Sequence, residues 1–368
     1  MTAASMTSVF EVTDGDIAIS NLQSTRTRSW KTFWNAPECP GVAENILAQE
    51  RVALEFTDLR ALERLDMLVK ELHRTDVCLS GAALIEAHVA SLAHRFSDAH
   101  VCLARAERLG ALAEDVRALR ITVCQATGTR LSQVLAWRRT AAASKQAEDL
   151  IPLAALFADL GQFDEADRLY RYALHAYCGV SPFVVARICF LLGVLWGELH
   201  PQSSTQSAAR WYDRAITYLP GYVRARVHLA EIMLTEGRFA DAETVLRPAV
   251  DTGDPEALAC SAKLLRTLGR LDEAAVHKHA AKCGVDELLE RHQLAFADHG
   301  AAFYSDIGDD PGRALELACI NVANRRTIKT VEQAYAIALG AGDTRIASDL
   351  LRLLAAVQHD VAEALTDY

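Results

Sequence analysis

The chain has 368 residues, 51% of them hydrophobic, with nine prolines and a formal net charge of −10. So much apolar material excludes a disordered chain, and a pI near 5.7 argues against nucleic-acid binding, which relies on basic surface to displace counterions. Nine cysteines, an odd number with no Cys-x-x-Cys spacing, read as reduced, buried thiols rather than a disulfide framework.

Residues 1–40 read as an extension. The β-prone runs Ser8–Thr13 and Asp16–Ser20 flank Asp14-Gly15, a hairpin signal. An isolated hairpin is marginal in water, so it must pack on something or be mobile. Trp30 and Trp34 follow, and Pro37-Glu-Cys-Pro40-Gly41 marks a boundary. Two readings stand: a tail pinned to the first helices by its tryptophans, or a partner-binding arm. The opening MTAASMTSVFEVTDGD lacks the basic start and apolar core of a signal peptide. No window approaches the ~18 apolar residues of a membrane span. The chain is therefore expected in the cytoplasm, away from membranes. The clusters Arg26/Arg28/Lys31 and Arg325/Arg326/Lys329 read as solvated surface.

Residues 41–145 form an N-terminal helical region. Two helices are predicted between Val42 and about His73, with Asp58 near the start of the second. A helix pair over Ala82–Gly110 turns at His94-Arg-Phe-Ser-Asp-Ala99, and another joins Glu114–Gly128 to Leu131–Lys145. Residues 146–368 are a clearer array. Gly161-Gln-Phe-Asp-Glu-Ala166, Gly237-Arg-Phe-Ala-Asp-Ala242 and Gly269-Arg-Leu-Asp-Glu-Ala274 each lie between two helix-period segments. The glycine supplies the positive φ that ends a helix; the aromatic or Leu fills the gap between helices, and Ala lets them approach. A longer loop, His200–Thr205, splits the pair anchored at Ala208, and Pro248 should kink its helix. Further pairs are predicted around Gly308–Ala314 and Gly342–Ala347.

These hexamers resemble the tetratricopeptide repeat family, whose period is about 34 residues. Ala208, Ala242 and Ala274 are 34 and 32 apart, whereas Ala166 to Ala208 and Ala274 to Ala314 are longer, predicting inserted loops. The resemblance implies an all-α, right-handed α-solenoid of helix hairpins and a protein–protein interaction scaffold or adaptor. It also implies that the first helix of each pair lines a concave groove where a partner protein or peptide lies.

Helical spacing says which residues face that groove. Arg224, His228, Glu231 and Thr235 form one stripe, and Leu229 and Met233 opposite must be core. Shifting by 32 residues gives Glu256, Cys260, Lys263 and Thr267, with Arg266 beside them; the preceding pairs give Arg187, Leu191, Val194, Glu198 and Glu148, Pro152, Ala155, Asp159. An apolar patch (Leu191, Val194, Pro152, Ala155) thus adjoins a charged one (Arg187, Arg224, His228, Lys263, Arg266), suiting a peptide or helix with a hydrophobic anchor and an acidic group. The stripe contains no Asn, so a dedicated C-terminal carboxylate site is not supported. The bland alternative is an ordinary solvated helix face.

No cofactor, metal site or enzymatic activity is predicted. His279 and Cys283 are four apart, but no third ligand is near them, and GxSxG, HExxH and GxxxxGK[ST] are absent. A second functional reading is a peptide-sensing regulator with residues 42–145 as effector and the repeats as sensor. The run Leu350, Leu351, Leu353, Leu354 is either the last core-facing helix or a seam for self-association.

Overall fold

The computed structural model describes residues 11–39, 41–74 and 79–366, apart from the side chain of Leu79. Among them there is no strand and there are eighteen α-helices. The first seven are α1 (Gly15–Asn35), α2 (Val42–Phe56), α3 (Ala61–Leu72), α4 (Leu79–Leu92), α5 (Phe96–Arg108), α6 (Ala113–Thr127) and α7 (Leu131–Ala142). The array follows as α8 (Ala147–Asp159), α9 (Phe163–Ala176), α10 (Pro182–Val194, continued by a π-helical turn Leu195–Leu199), α11 (Thr205–Tyr218), α12 (Val223–Thr235) and α13 (Phe239–Val250). It ends with α14 (Pro255–Thr267), α15 (Leu271–Ser305), α16 (Pro311–Asn324), α17 (Ile328–Gly340) and α18 (Thr344–Thr366). Consecutive helices pack as antiparallel pairs, each pair against the next, which makes the chain an all-α solenoid.

The turn chemistry explains the pairs. Gly161, Gly237, Gly269 and Gly342 all have φ near 74°, and the amide of the following residue bonds back to the ending helix: Gln162 to Phe157, Arg238 to Met233, Arg270 to Leu265, at 2.8–2.9 Å. His94 occupies the same left-handed position (φ 54°) between α4 and α5, and Arg95 donates to Ala90 O at 2.8 Å. A non-glycine residue is disfavoured there, and stacking on Phe96 with a 3.1 Å contact from Nδ1 to Leu294 O holds it in place.

Several expectations are corrected. Asp16–Ser20 is helix, because the Asp14 carboxylate accepts from the amides of Asp16 and Ile17 and caps α1. Asp14-Gly15 is thus a helix start and not a hairpin turn; Ser8–Phe10 lie outside the described residues. Trp30 is pinned by its Nε1 to Glu50 at 2.8 Å and stacks on Trp34, which is 53% exposed. The long Ala274–Ala314 interval holds helix rather than loop: α15 runs 35 residues, broken at His292 (φ −141°, ψ 53°), so the second helix of one pair is fused to the first of the next. Pro248 lies inside α13, in its last turn, where the N–H it lacks leaves the Thr244 carbonyl without its intrahelical donor. Pro182–Leu199, contrary to expectation, is long and apolar enough by composition to cross a membrane; half of it is buried inside the fold as a repeat core. Leu350 is buried and Leu353 and Leu354 pack on the C-terminal core, whereas Leu351 is half exposed.

The C-terminal end of the array meets the N-terminal helical region. α18 packs on α7, Asn324 donates to His94 O at 2.9 Å, and Arg325 donates to Ala126 O at 3.2 Å. Arg291 pairs with Glu63, and Asp66 lies between Arg95 (2.8 Å) and His292 (3.7 Å). The stack therefore curls until its C-terminal pairs touch its N-terminal ones, and the first helices face a shared interior.

Two glycine substitutions separate turn from packing. At Gly161 an added Cβ meets nothing within 4 Å, so Gly161→Ala should cost only the strain of positive φ, about 1 kcal/mol. At Gly193, inside α10, it would fall 2.4 Å from the Tyr212 ring, so Gly193→Ala should cost about 1–3 kcal/mol. Urea unfolding followed by circular dichroism ranks the two.

Candidate functional site

The charged members of the stripes read from helical spacing share the inner wall and are joined by ion pairs. Cys260, placed on the stripe by spacing, is instead buried in the core because α14 turns that side onto its neighbours. Glu198, at the π-helical end of α10, contacts His228 on α12 at 3.1 Å. His228 lies 3.8 Å from Glu231, Glu231 lies 3.8 Å from Lys263 on α14, and Lys263 lies 2.5 Å from Asp306 at the end of α15. A second run places Glu256 of α14 3.8 Å from His299 of α15, with Asp298 and Arg325 beyond it. Lys329 of α17 reaches Glu198 at 3.7 Å. Residues 131 positions apart (198 to 329) can meet only if the wall is concave.

The individual predictions fare unequally. Arg187, Arg224, His228, Glu231 and Lys263 share the wall. Arg187 is paired at 2.8 Å with Glu55 of α2, which lies outside the array. Arg224 is exposed, sits 5.0 Å over the Phe190 ring, and has no carboxylate within ion-pair distance among the described residues. His228 stacks on Tyr212. The apolar patch is smaller than expected, because Leu191 and Val194 are half-buried against the core and Ala155 is half-buried on α8. Arg266 and Thr267 are exposed; the Thr267 hydroxyl bonds back to Lys263 O, and Arg266 joins none of the ion pairs above.

The sequence reading missed His299 and Asp306. Continuing the stripe finds them, since 256 to 299 and 263 to 306 are both shifts of 43 residues; the expected loop insertion hid that step. Glu55 and Phe56 carried no signal, because α2 meets the wall only through tertiary packing. Cys283 Sγ lies 3.7 Å from His279 Nε2, and no set of three metal-ligating side chains is grouped among the described residues.

Residues 202–264, from the loop before α11 into α14, match the tetratricopeptide repeat family. No curated protein matches the chain. Similar solved structures include the APC/C hetero-tetramer Cut9–Hcn1, at 12% identity over 93% of this chain and 66% of that one, TM-score 0.44. This chain thus spans just under two thirds of that relative's length. BtubC from P. vanneervenii matches at 18% identity over 65% of this chain and 94% of that one, TM-score 0.39. The human IFIT1 dimer with PPP-AAAA matches at 13% over 91% and 68%, TM-score 0.40.

The wall tunes its own charges. Asp298 and Glu256 outweigh burial at His299 and raise it to about 9. Burial opposes ionisation of Glu256, yet His299, His228 and Arg224 hold it down to about 2. Burial likewise opposes protonation of His228, but Glu198 raises it. At Asp159 burial prevails and lifts the carboxyl to about 6. Because the folded pKa of His299 lies above the ordinary imidazole value of about 6.5, its contribution to stability is complete below that pH and is lost as pH rises through about 9. Melting temperatures measured from pH about 6 to about 10 should therefore fall more steeply for wild type than for His299→Gln. Equal slopes would mean that His299 is not held protonated by its neighbours.

Proposed function

We propose that this chain, which carries tetratricopeptide repeats over residues 202–264, is a cytoplasmic scaffold or adaptor that holds a partner protein or peptide against its inner wall. The observation that carries this reading is Arg224. Its neighbours Arg187, His228, Lys263 and His299 each have a carboxylate within 4 Å, whereas the Arg224 guanidinium lies over Phe190 with none among the described residues. A guanidinium gives two parallel N–H bonds to a carboxylate and needs little reorganisation when it already rests on an aromatic face. The stack of helices is formed before the partner arrives, so little ordering is required on binding. Recognition without bond-breaking is the whole mechanism.

A specific observation also supports the regulator reading. Phe33, Ile46, Leu65, Leu68 and Val89 give α1–α4 a core of their own. These helices meet the array through Glu55–Arg187 and Glu63–Arg291 and through Phe56 and Leu62, which are buried in the cores the array forms. In that reading the N-terminal unit moves against the repeats when a peptide binds. Small-angle scattering with and without ligand separates a rigid scaffold from a moving one.

Affinity capture with the full chain and with an Arg224→Glu/Lys263→Glu variant tests the groove. A partner held by this wall should be lost with the double reversal while the variant keeps its far-UV circular dichroism. Retention of the same partners by both would remove the wall from the binding surface.

A further inference from the structure

One stretch of the inner wall is already occupied by the chain itself. The last turn of α2 brings Val52, Glu55 and Phe56 to one side, at i, i+3 and i+4. Phe56 is 4% exposed, and its ring lies 5.2 Å from Phe183 of α10 and 4.8 Å from Tyr222, which precedes α12. Glu55 contacts Arg187, one turn beyond Phe183 on the same stripe, at 2.8 Å. The earlier turns of α2 face elsewhere: Val42, Ala43, Ile46 and Leu47 belong to the separate core of α1–α4, and Glu50 is bound by Arg26, Trp30 and Arg64. Only the final turn is delivered to the wall, and it carries an acid directly before an aromatic.

Charge is unbalanced at this corner. Glu55 pairs directly with Arg187 and acts on Arg51 and Arg224 at longer range, the latter together with Glu256 and Asp298. Burial and the like charge of Arg187 lower the Arg51 pKa against the pull of Glu55, and Arg224 has no carboxylate of its own at ion-pair distance among the described residues. The internal turn fills the aromatic pocket and leaves Arg224 over Phe190 without a carboxylate in direct contact among the described residues, with Glu55, Glu256 and Asp298 acting on it only at longer range. An incoming helix turn with the same aromatic and more carboxylate would gain what α2 cannot supply.

Resting on the scaffold reading above, we propose that Phe183, Arg187 and Tyr222 form a helix-turn recognition site for which α2 is the built-in ligand. Its external ligand is a partner helix that presents an acidic residue immediately before an aromatic, flanked by further acids. Binding of that helix displaces the last turn of α2. The internal turn acts as a competitor at high effective concentration, which sets a threshold that weak or uncharged helices do not pass.

The probe is a labelled peptide of residues 42–58 in which Arg51 is replaced by Glu, titrated into the full-length chain. Glu55→Ala/Phe56→Ala in the full chain empties the pocket and should tighten peptide binding at least about tenfold over wild type. Adding Arg187→Glu should abolish that gain. Unchanged affinity in the emptied chain, or a gain that survives Arg187→Glu, overturns the proposal. Should the emptied chain lose its helical circular dichroism, hydrogen exchange on wild type decides. Saturating peptide should speed exchange over 52–57 and leave 344–366 unchanged; no change over 52–57 overturns the proposal. Partner loss with Arg224→Glu/Lys263→Glu alongside failure here would retain the scaffold reading and discard only the role of α2.

Discussion

The fold depends on how closely two helices of a pair can approach. At each crossing the chain places an alanine with essentially no exposed surface: Ala99, Ala166, Ala208, Ala242 and Ala314 are all at 0%, and Ala274 is at 8%. A larger side chain there would hold the helices apart and change the angle at which the next pair stacks. One pair cannot bury its own apolar face, so each needs a neighbour, and the repeated offset curves the array. Curvature brings Lys329 to Glu198 and Arg325 to the end of α6, which makes an interior wall out of residues distant in sequence. Function, in any of the readings considered, is a consequence of that small residue at a fixed place.

Much of this was legible because the governing signals are local. The glycine turn, the alanine two-thirds of the way through each hexamer-bearing pair and the 3.6-residue period all act within about 30 residues, so pairs could be located and their inner stripes assigned. His94 shows that the turn signal tolerates substitution: the positive φ remains although the glycine is gone, and Phe96 and Ala99 alone mark the hexamer. Asp14-Gly15 misled because a capping carboxylate and a hairpin turn use the same residue types. Only the helix period that follows over Ile17–Asn35 distinguishes them.

What was not legible is non-local. Nothing near Glu55 or Phe56 announces that α2 ends against α10, since Phe183 lies 127 positions after Phe56 (56 to 183). Closure of the ring by α7 and α18, and the salt link from Arg291 to Glu63, are likewise set by accumulated curvature rather than by any motif. The fused helix α15 hid the stripe at His299 and Asp306 for a related reason: an insertion made of helix keeps the period while shifting the register.

A wall of paired charges constrains its guest more by selection than by strength. Each contact a ligand makes with Arg187 or Lys263 must replace one the wall already has, to Glu55 or to Asp306, so the net gain per ion pair is small. A guest of the wrong sign meets Glu198, Glu231 and Glu256 with their cations already engaged and is repelled at close range. Favourable binding energy must then come from places where the wall is incomplete: the Arg224 guanidinium over Phe190, and the aromatic pocket that α2 fills with Phe56. Self-pairing thus keeps the wall from attracting charged chains at random, and it concentrates discrimination at Arg224 and at the aromatic pocket.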